Sequence, residues 1–222
     1  MKTVTAWHFS SKGVLLDGRE IKVGAWQKLR INDWRAGAKR AKGRYEETKA
    51  IKAIEKRRPV LCCVGFHASR QARHALQYTF NRSVDKPTAE LVEIRGYVKE
   101  DSNKLKLVGT ERRVIAMLGV NQTRRAILLF TCANVRKALE NSDDSHEQTL
   151  ARELKQVEKA EAYLWGEGPK PKKYKRETFT TSLIRTIVDG AKFMDAIDCA
   201  NIYPHESKKG TFGKILLKMM GV

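Results

Sequence analysis

No stretch of this chain reaches the run of roughly 18 apolar residues that a membrane-spanning helix needs. It opens on Met1-Lys2-Thr3-Val4-Thr5-Ala6-Trp7 without a signal-peptide pattern, so the expectation is a soluble, intracellular protein with no membrane partner. Cysteine is scarce at four residues, and none shows C-x-x-C spacing. Zinc and redox motifs therefore lack support, and Cys62, Cys63, Cys132 and Cys199 read as buried free thiols in a reducing compartment. There is no P-loop, no Gly-x-Ser-x-Gly and no His-Glu-x-x-His. Helix-turn-helix, zinc-finger and RNA-recognition signatures are equally missing, so sequence-specific readout is not indicated. Asp143-Asp144 has no second carboxylate pair at a metal-binding spacing and reads as a solvated turn; no metal is expected.

Negative charge is what the chain lacks most. Its 25 acidic residues stand against 44 Lys and Arg, a formal net charge of +19 over 222 residues. Such a surplus repels itself in a compact body and concentrates polyanions around it. The partners that fit are nucleic acid, DNA or RNA, then anionic lipid or an acidic protein; the plain alternative is a surface that only solubilises. An apolar fraction of 41% leaves enough side chains for a core, so global disorder is not expected.

The patterning predicts an α+β protein, sheet-rich in residues 1–119 and helical in 120–222. Residues 3–24 read as paired strands, with Asp17-Gly18 supplying a tight turn. From about 28 to 58, twelve Lys/Arg and four acidic residues make a cationic helical insertion that Pro59 ends. A strand is expected over 60–64, a helix from an N-cap at Ser69 to Phe80, a strand over 89–98 and another over 104–108. Residues 112–118 are expected to be helical. So are 123–140, the stretch from the capping-box run Ser145-His146-Glu147-Gln148 to about Trp165, residues 180–200 and residues 211–220. Between them, 166–177 is an exposed basic loop. No internal repeat is visible.

One stretch combines residue types that suggest a site. Gly65-Phe66-His67-Ala68-Ser69 follows the apolar run Val60–Val64, and Tyr78 comes nine residues later. With Trp7-His8-Phe9 on a neighbouring strand, His8, His67 and Tyr78 would line one cleft. The plain reading is that both histidines are satisfied core or rim residues and that Tyr78 packs its helix on the sheet. On these motifs the chain resembles the catalytic core of the ADP-ribosyltransferases, in which a Trp/Tyr-His-Gly strand precedes a Gly-aromatic-aromatic-Ala strand and a helix carrying tyrosine. Phe9 departs from the small glycine of that pattern. The resemblance implies NAD as cofactor, His8 holding its ribose, Tyr78 stacking on nicotinamide, and Glu111 or Glu93 stabilising the oxocarbenium-like centre. Outside this alternative no cofactor is expected.

A second resemblance spans about residues 4–118. Trp7-His8-Phe9, Leu16-Asp17-Gly18-Arg19, Gly65-Phe66-His67-Ala68-Ser69, Ala75-Leu76-Gln77-Tyr78 and Val92-Glu93-Ile94-Arg95-Gly96 are similar to an uncharacterised domain of tailed-phage proteins. The resemblance implies a phage or prophage origin, hence work in the cytoplasm of an infected bacterium or in the virion.

The cationic segments supply the remaining candidates. Arg35, Lys39, Arg40, Lys42 and Arg44, with Trp34 and Tyr45 interleaved, offer phosphate contacts beside flat faces for stacking. Lys172, Lys173, Lys175 and Arg176 around Tyr174 repeat the recipe. The reading that follows is a phage-type basic protein binding nucleic acid, or an acidic host factor, electrostatically. Its role would be host takeover, counter-defence or handling of phage DNA. The alternatives are the ADP-ribosyltransferase-like enzyme and a virion or assembly protein whose helical half makes oligomer contacts.

Overall fold

The computed structural model describes residues 3–14, 20–43, 46–80, 86–141, 147–171 and 210–222. The chain divides into two compact units, Met1–Val120 and Asn121–Val222. Strands fill the first and helices the second, an α+β architecture.

The first unit runs β1 (Val4–Ser11), β2 (Trp26–Lys28), α1 (Ile31–Ala41), α2 (Glu47–Glu55), β3 (Phe66–Ala68), α3 (Ala72–Phe80), β4 (Pro87–Arg95), β5 (Lys99–Glu100), β6 (Leu107–Gly109) and β7 (Glu111–Leu118). One antiparallel sheet has the order β1-β4-β7-β2, the other β3-β6-β5. Trp7 and Ser69 exchange backbone hydrogen bonds of 2.7 and 2.9 Å, stitching the end of β3 to the free edge of β1. The period of two along a strand does the rest. Val4 and Ala6 of β1, Val92 and Ile94 of β4 and Val114 of β7 share an inner face with Phe66, Ala68 and Leu107 of the smaller sheet. The odd-numbered positions face outward. Trp7, Phe9, Ala89 and Leu91 are buried there, and α3 packs against β1, whereas Glu93, Arg95 and Arg113 remain partly open to solvent.

Several local expectations change. Val60–Val64 is not a strand but a turn closed by a Val60–Val64 bridge, with Cys62 at φ 62°. Its apolar residues are spent elsewhere: Cys63 and Val64 are buried against α1 and α2. Gly65, at φ 135°, redirects the chain into β3, and a Cβ there would fall on a methyl of Val108. Ser69 pairs with Trp7, and the helix begins three residues later at Ala72. Residues 112–118 form β7, not a helix; buried Arg112 and Val114 alternate with Arg113 and the exposed Ile115. Of the expected N-terminal hairpin the described residues show Val14 paired with Glu20 and Val23 parallel to Val114, while β1 spends its ladder on β4. Asp17-Gly18, the capping-box residue Ser145 and the expected helix over 180–200 lie outside the described residues.

The second unit, taken by itself, contains α4 (Val120–Glu140), α5 (Glu147–Trp165) and α6 (Thr211–Met220). Leu129, Cys132 and Val135 of α4 bury against Val157, Ala160 and Leu164 of α5, with Ile215 and Met219 of α6 alongside. Phe130 and Phe212 stack with centroids 4.7 Å apart. Among the described residues no helix is long and apolar enough to cross a membrane.

Candidate functional site

Two arrangements in the first unit have the composition of a site: a polar network on the inner face of the larger sheet, and the cationic hairpin α1–α2. The network begins as cross-strand pairing. His8 of β1 sits in register with Glu90 of β4, and Ser10 with Thr88. Pairs directly opposite in an antiparallel ladder have their side chains in reach of each other. His8 Nδ1 lies 2.7 Å from Glu90 Oε2, the Ser10 hydroxyl donates to Glu90 Oε1, and Ser10 Oγ is 2.7 Å from Thr88 Oγ1. Arg112 reaches in from β7, its Nη1 3.6 Å from Glu90 Oε2 and 3.2 Å from His8 Nδ1. Its Nη2 donates to Gln27 Oε1 at 3.0 Å, and the guanidinium lies 5.4 Å from the centroid of Phe66.

Glu90 and Arg112 are 0% and 1% exposed. Two charges out of water are tolerable only when paired and hydrogen-bonded, and no polar side-chain atom of either lacks a partner. Burial pushes the Glu90 carboxyl up, but His8, then Arg112 and the Ser10 hydroxyl, outweigh it and hold the group below its ordinary value. With Nδ1 held between Glu90 and Arg112, Nε2 is the ring nitrogen left to meet a ligand. The His8 side chain is 24% exposed.

The other expected members of that cleft do not join it. On β3, Phe66 and Ala68 point into the core, so His67 faces the opposite way. Its Nε2 accepts the backbone N–H of Cys62 at 2.9 Å, pinning the 60–64 turn. Glu111 and Glu93 lie on the outer face of the sheet, away from His8. Glu111 pairs with Arg95 at 2.8 Å and Lys28 at 3.6 Å; the hydrogen bond from Arg95 is the main cause of its lowered carboxyl pKa. Glu93 pairs with Arg113 at 2.5 Å. The side chain of Tyr78 lies outside the described part. Among the described residues no three His, Cys, Asp or Glu gather as a metal site.

The cationic insertion contains two helices, α1 and α2. Trp34 and Ala41 of α1 and Ala50 and Ile54 of α2 pack with Cys63 and Val64. Gly37 permits the contact, since a Cβ there would stand 2.5 Å from Val64 Cβ. Trp34, expected as a stacking surface, is only 7% exposed and belongs to this core. The apolar stripe of α1 therefore leaves Arg35, Lys39 and Lys42 exposed at i, i+4 and i+7, on one flank. Arg40 is exposed as well, its Nε donating to the Cys63 carbonyl at 2.8 Å. Lys52, Lys56, Arg57 and Arg58 continue the exposed charge along α2 and its end.

The carboxylates of the hairpin are committed differently. Asp33 accepts the Arg30 N–H at 2.7 Å, Glu47 accepts the Gly43 N–H at 2.7 Å, and Glu46 pairs with Lys49 at 2.9 Å. Among the described residues no ion pair engages Arg35, Lys39, Lys42, Lys52, Lys56, Arg57 or Arg58. Arg44, Lys172, Lys173, Lys175 and Arg176 lie outside the described residues. Three residues carry no sequence signal of a site: Glu90, which looks like a surface charge in a strand, Arg112, which looks like one at the start of a helix, and Tyr97, an exposed ring beside Arg58. The Gly96-Tyr97 step at the end of an alternating strand signals only a turn.

Comparison with known proteins gives no match: no family model fits the chain, and no curated protein or solved structure is similar enough to count.

Proposed function

We propose that the protein binds nucleic acid electrostatically through the α1–α2 hairpin, in the phage setting that its sequence resemblance implies. The observation that carries the reading is the row Arg35, Lys39 and Lys42, continued by Lys52, Lys56, Arg57 and Arg58. All seven are exposed and without ion pairs among the described residues. Exposed cations that no carboxylate neutralises are what displacing counterions from a phosphate backbone requires. Lys39 and Arg40 also occupy the last turn of α1, where the helix dipole favours positive charge and holds them in place. Anisotropy titrations of labelled DNA and RNA at increasing salt test it. Wild type should lose log affinity linearly with log salt. The R35E/K39E/K42E variant should bind far more weakly, its slope smaller by about 2–3, at 0.7–0.9 per phosphate contact removed. No binding of DNA or RNA at low salt would end the reading.

A second reading rests on His8, whose Nδ1 is fixed by Glu90 while the ring is partly exposed. That is the posture the ADP-ribosyltransferase resemblance asks of a histidine holding the ribose of NAD. Nicotinamide release from NAD by the wild-type protein, lost in His8→Gln, would support it; equal signals from both proteins and buffer would remove it.

A further inference from the structure

The polyanion reading leaves open what the hairpin tells apart among nucleic acids, and the end of α2 supplies an answer. After Glu55 the backbone N–H groups of Arg57 and Arg58 still bond back to the Ile54 and Ala53 carbonyls, each at 2.9 Å. Arg57 takes φ 55° and turns the chain toward the buried Pro59. This turn delivers the Arg58 guanidinium to the ring of Tyr97, 5.4 Å from its centroid. Tyr97 is 47% exposed, the one aromatic among the exposed large hydrophobic residues described.

An exposed ring is common and means little alone. This one differs in how it is held and in what surrounds it. Gly96, before it, has φ 86°, and a Cβ there would fall on Thr110 Oγ1, so no other residue fits the turn. The same hydroxyl oxygen accepts the Tyr97 N–H at 3.2 Å. The ring thus stands on a pinned backbone, so little order has to be imposed on it when a flat partner arrives. Lys56, Arg57 and Arg58 are consecutive exposed cations beside Glu55 in the chain, of which Arg58 reaches this ring while the Arg57 guanidinium lies 5.8 Å from the centroid of Trp34; Glu111, beside Gly96, is paired with Arg95. The carboxylates just past Tyr97 are occupied. Glu100 pairs with Arg70 at 2.5 Å, and Asp101 accepts the N–H groups of Leu105 and Lys106 at 2.8 and 3.1 Å. Two other described aromatic residues of this unit offer less. Trp34 is buried, and Trp26 already lies under Arg95 and Arg113, 3.6 and 5.1 Å from its centroid.

Cations that follow a phosphate backbone, interrupted by one flat ring, match a chain whose bases are free to swing out. A duplex stacks its own bases and shows no face to such a ring, whereas a single strand does. Resting on the electrostatic reading above, we propose that Tyr97, backed by Arg58, is a base-stacking platform and that the ligand class is single-stranded nucleic acid.

The test compares a labelled oligo-dT, an oligo-U and a duplex of equal length against wild type, Tyr97→Ala and Tyr97→Phe, with circular dichroism confirming the folds. Wild type should prefer the single strands. Tyr97→Ala should bind them about 5- to 150-fold more weakly, the fold-change equivalent to about 1–3 kcal/mol per stacked base. Its salt slope and its duplex affinity should match wild type, because no phosphate contact has been removed. Tyr97→Phe should bind as wild type does. If Tyr97→Ala binds single strands undiminished, or the duplex binds as tightly as they do, the platform is overturned. In that event salt-dependent binding that is lost in R35E/K39E/K42E would leave the electrostatic reading standing. Wild type that binds none of the three probes would remove both.

Discussion

On β4 and β7 the arginines Arg95, Arg112 and Arg113 each meet a carboxylate, whereas on α1 and α2 the exposed Arg35, Lys39, Lys42, Lys52 and Lys56 meet none among the described residues. Both regions belong to the same compact unit and both are rich in positive charge. The sheet places its arginines across from acids because cross-strand neighbours are fixed by register: Glu93 faces Arg113, and Arg95 faces Glu111. In the hairpin Asp33 and Glu47 are used instead on backbone N–H groups and Glu46 takes only Lys49, so most of the cations are left over. A net charge of +19 is therefore not spread uniformly. In one region charge is internal architecture; in the other it is surface held open for a partner.

If that contrast is right, removing charge from the sheet's interior should wreck stability, and removing it from the hairpin should not. Glu90→Ala leaves Arg112 buried without its carboxylate and should cost about 3–5 kcal/mol in denaturant unfolding. R35E/K39E/K42E should cost no more than about 1–2 kcal/mol while losing nucleic acid, since reversing exposed charge at the end of a helix costs about 0.3–1 kcal/mol a site. Equal losses from the two variants would erase the distinction.

Acid should act through the same group. The Glu90 carboxyl is held below its ordinary value of 4.5 in the folded chain. Its stabilisation is therefore complete above that value and fades as pH falls below it, through the folded pKa. Unfolding midpoints measured from about pH 7 downward should fall through this range, and Glu90→Gln should flatten the decline. Salt should alter it little, because the pair is shielded from solvent.

The same contrast decides what could be read from the chain alone. Helices with a continuous apolar stripe, such as α5 with Leu154, Val157, Ala160 and Leu164, show themselves in any sequence of this kind, and the α+β layout follows from them and from the alternation in β4. β7 was legible only as a run of Val114-Ile115-Ala116-Met117-Leu118 behind two arginines, because its inner position is a charged residue. Arg112 looks like solvent-facing charge until Glu90 is placed beside it, and nothing local places it there. Trp34 fails in the mirror-image way: an aromatic between cations looks like a stacking surface, but α2 and Val64 cover it. The exposed cations were legible because exposure is the default for lysine and arginine. Tyr97 was not, since its exposure depends on the Gly96 turn and on the end of α2.

Within the hairpin, body and surface can be separated. Gly37→Ala would gain about 1 kcal/mol of helix propensity but puts its methyl 2.5 Å from Val64 Cβ. Overpacking of that kind typically costs about 1–3 kcal/mol, so a net loss of about 1 kcal/mol is expected. Val64→Gly, which removes that Cβ, should relieve the clash and give a favourable coupling in the double-mutant cycle, whereas Val64→Ala, which keeps the Cβ, should couple more weakly. The salt slope of nucleic-acid binding should not move, since no cation has been touched.

The smallest effect expected is also the sharpest probe of the sheet's outer face. Glu93 and Arg113 are opposite each other in the ladder and 2.5 Å apart, but their side chains are 21% and 39% exposed. Water competes for both, so the coupling in a cycle of Glu93→Ala, Arg113→Ala and the double variant should be only about 0.2–1 kcal/mol. It should shrink further at high salt, unlike the Glu90 effect. Arg113 also lies over Trp26, so Arg113→Ala should cost more than Glu93→Ala, the excess persisting when Glu93 is already gone. A coupling as large as that of Glu90 with Arg112 would mean that register alone, without burial, gives an ion pair its strength. The division of this unit into internal and presented charge would then have to be redrawn around pairing geometry instead of exposure.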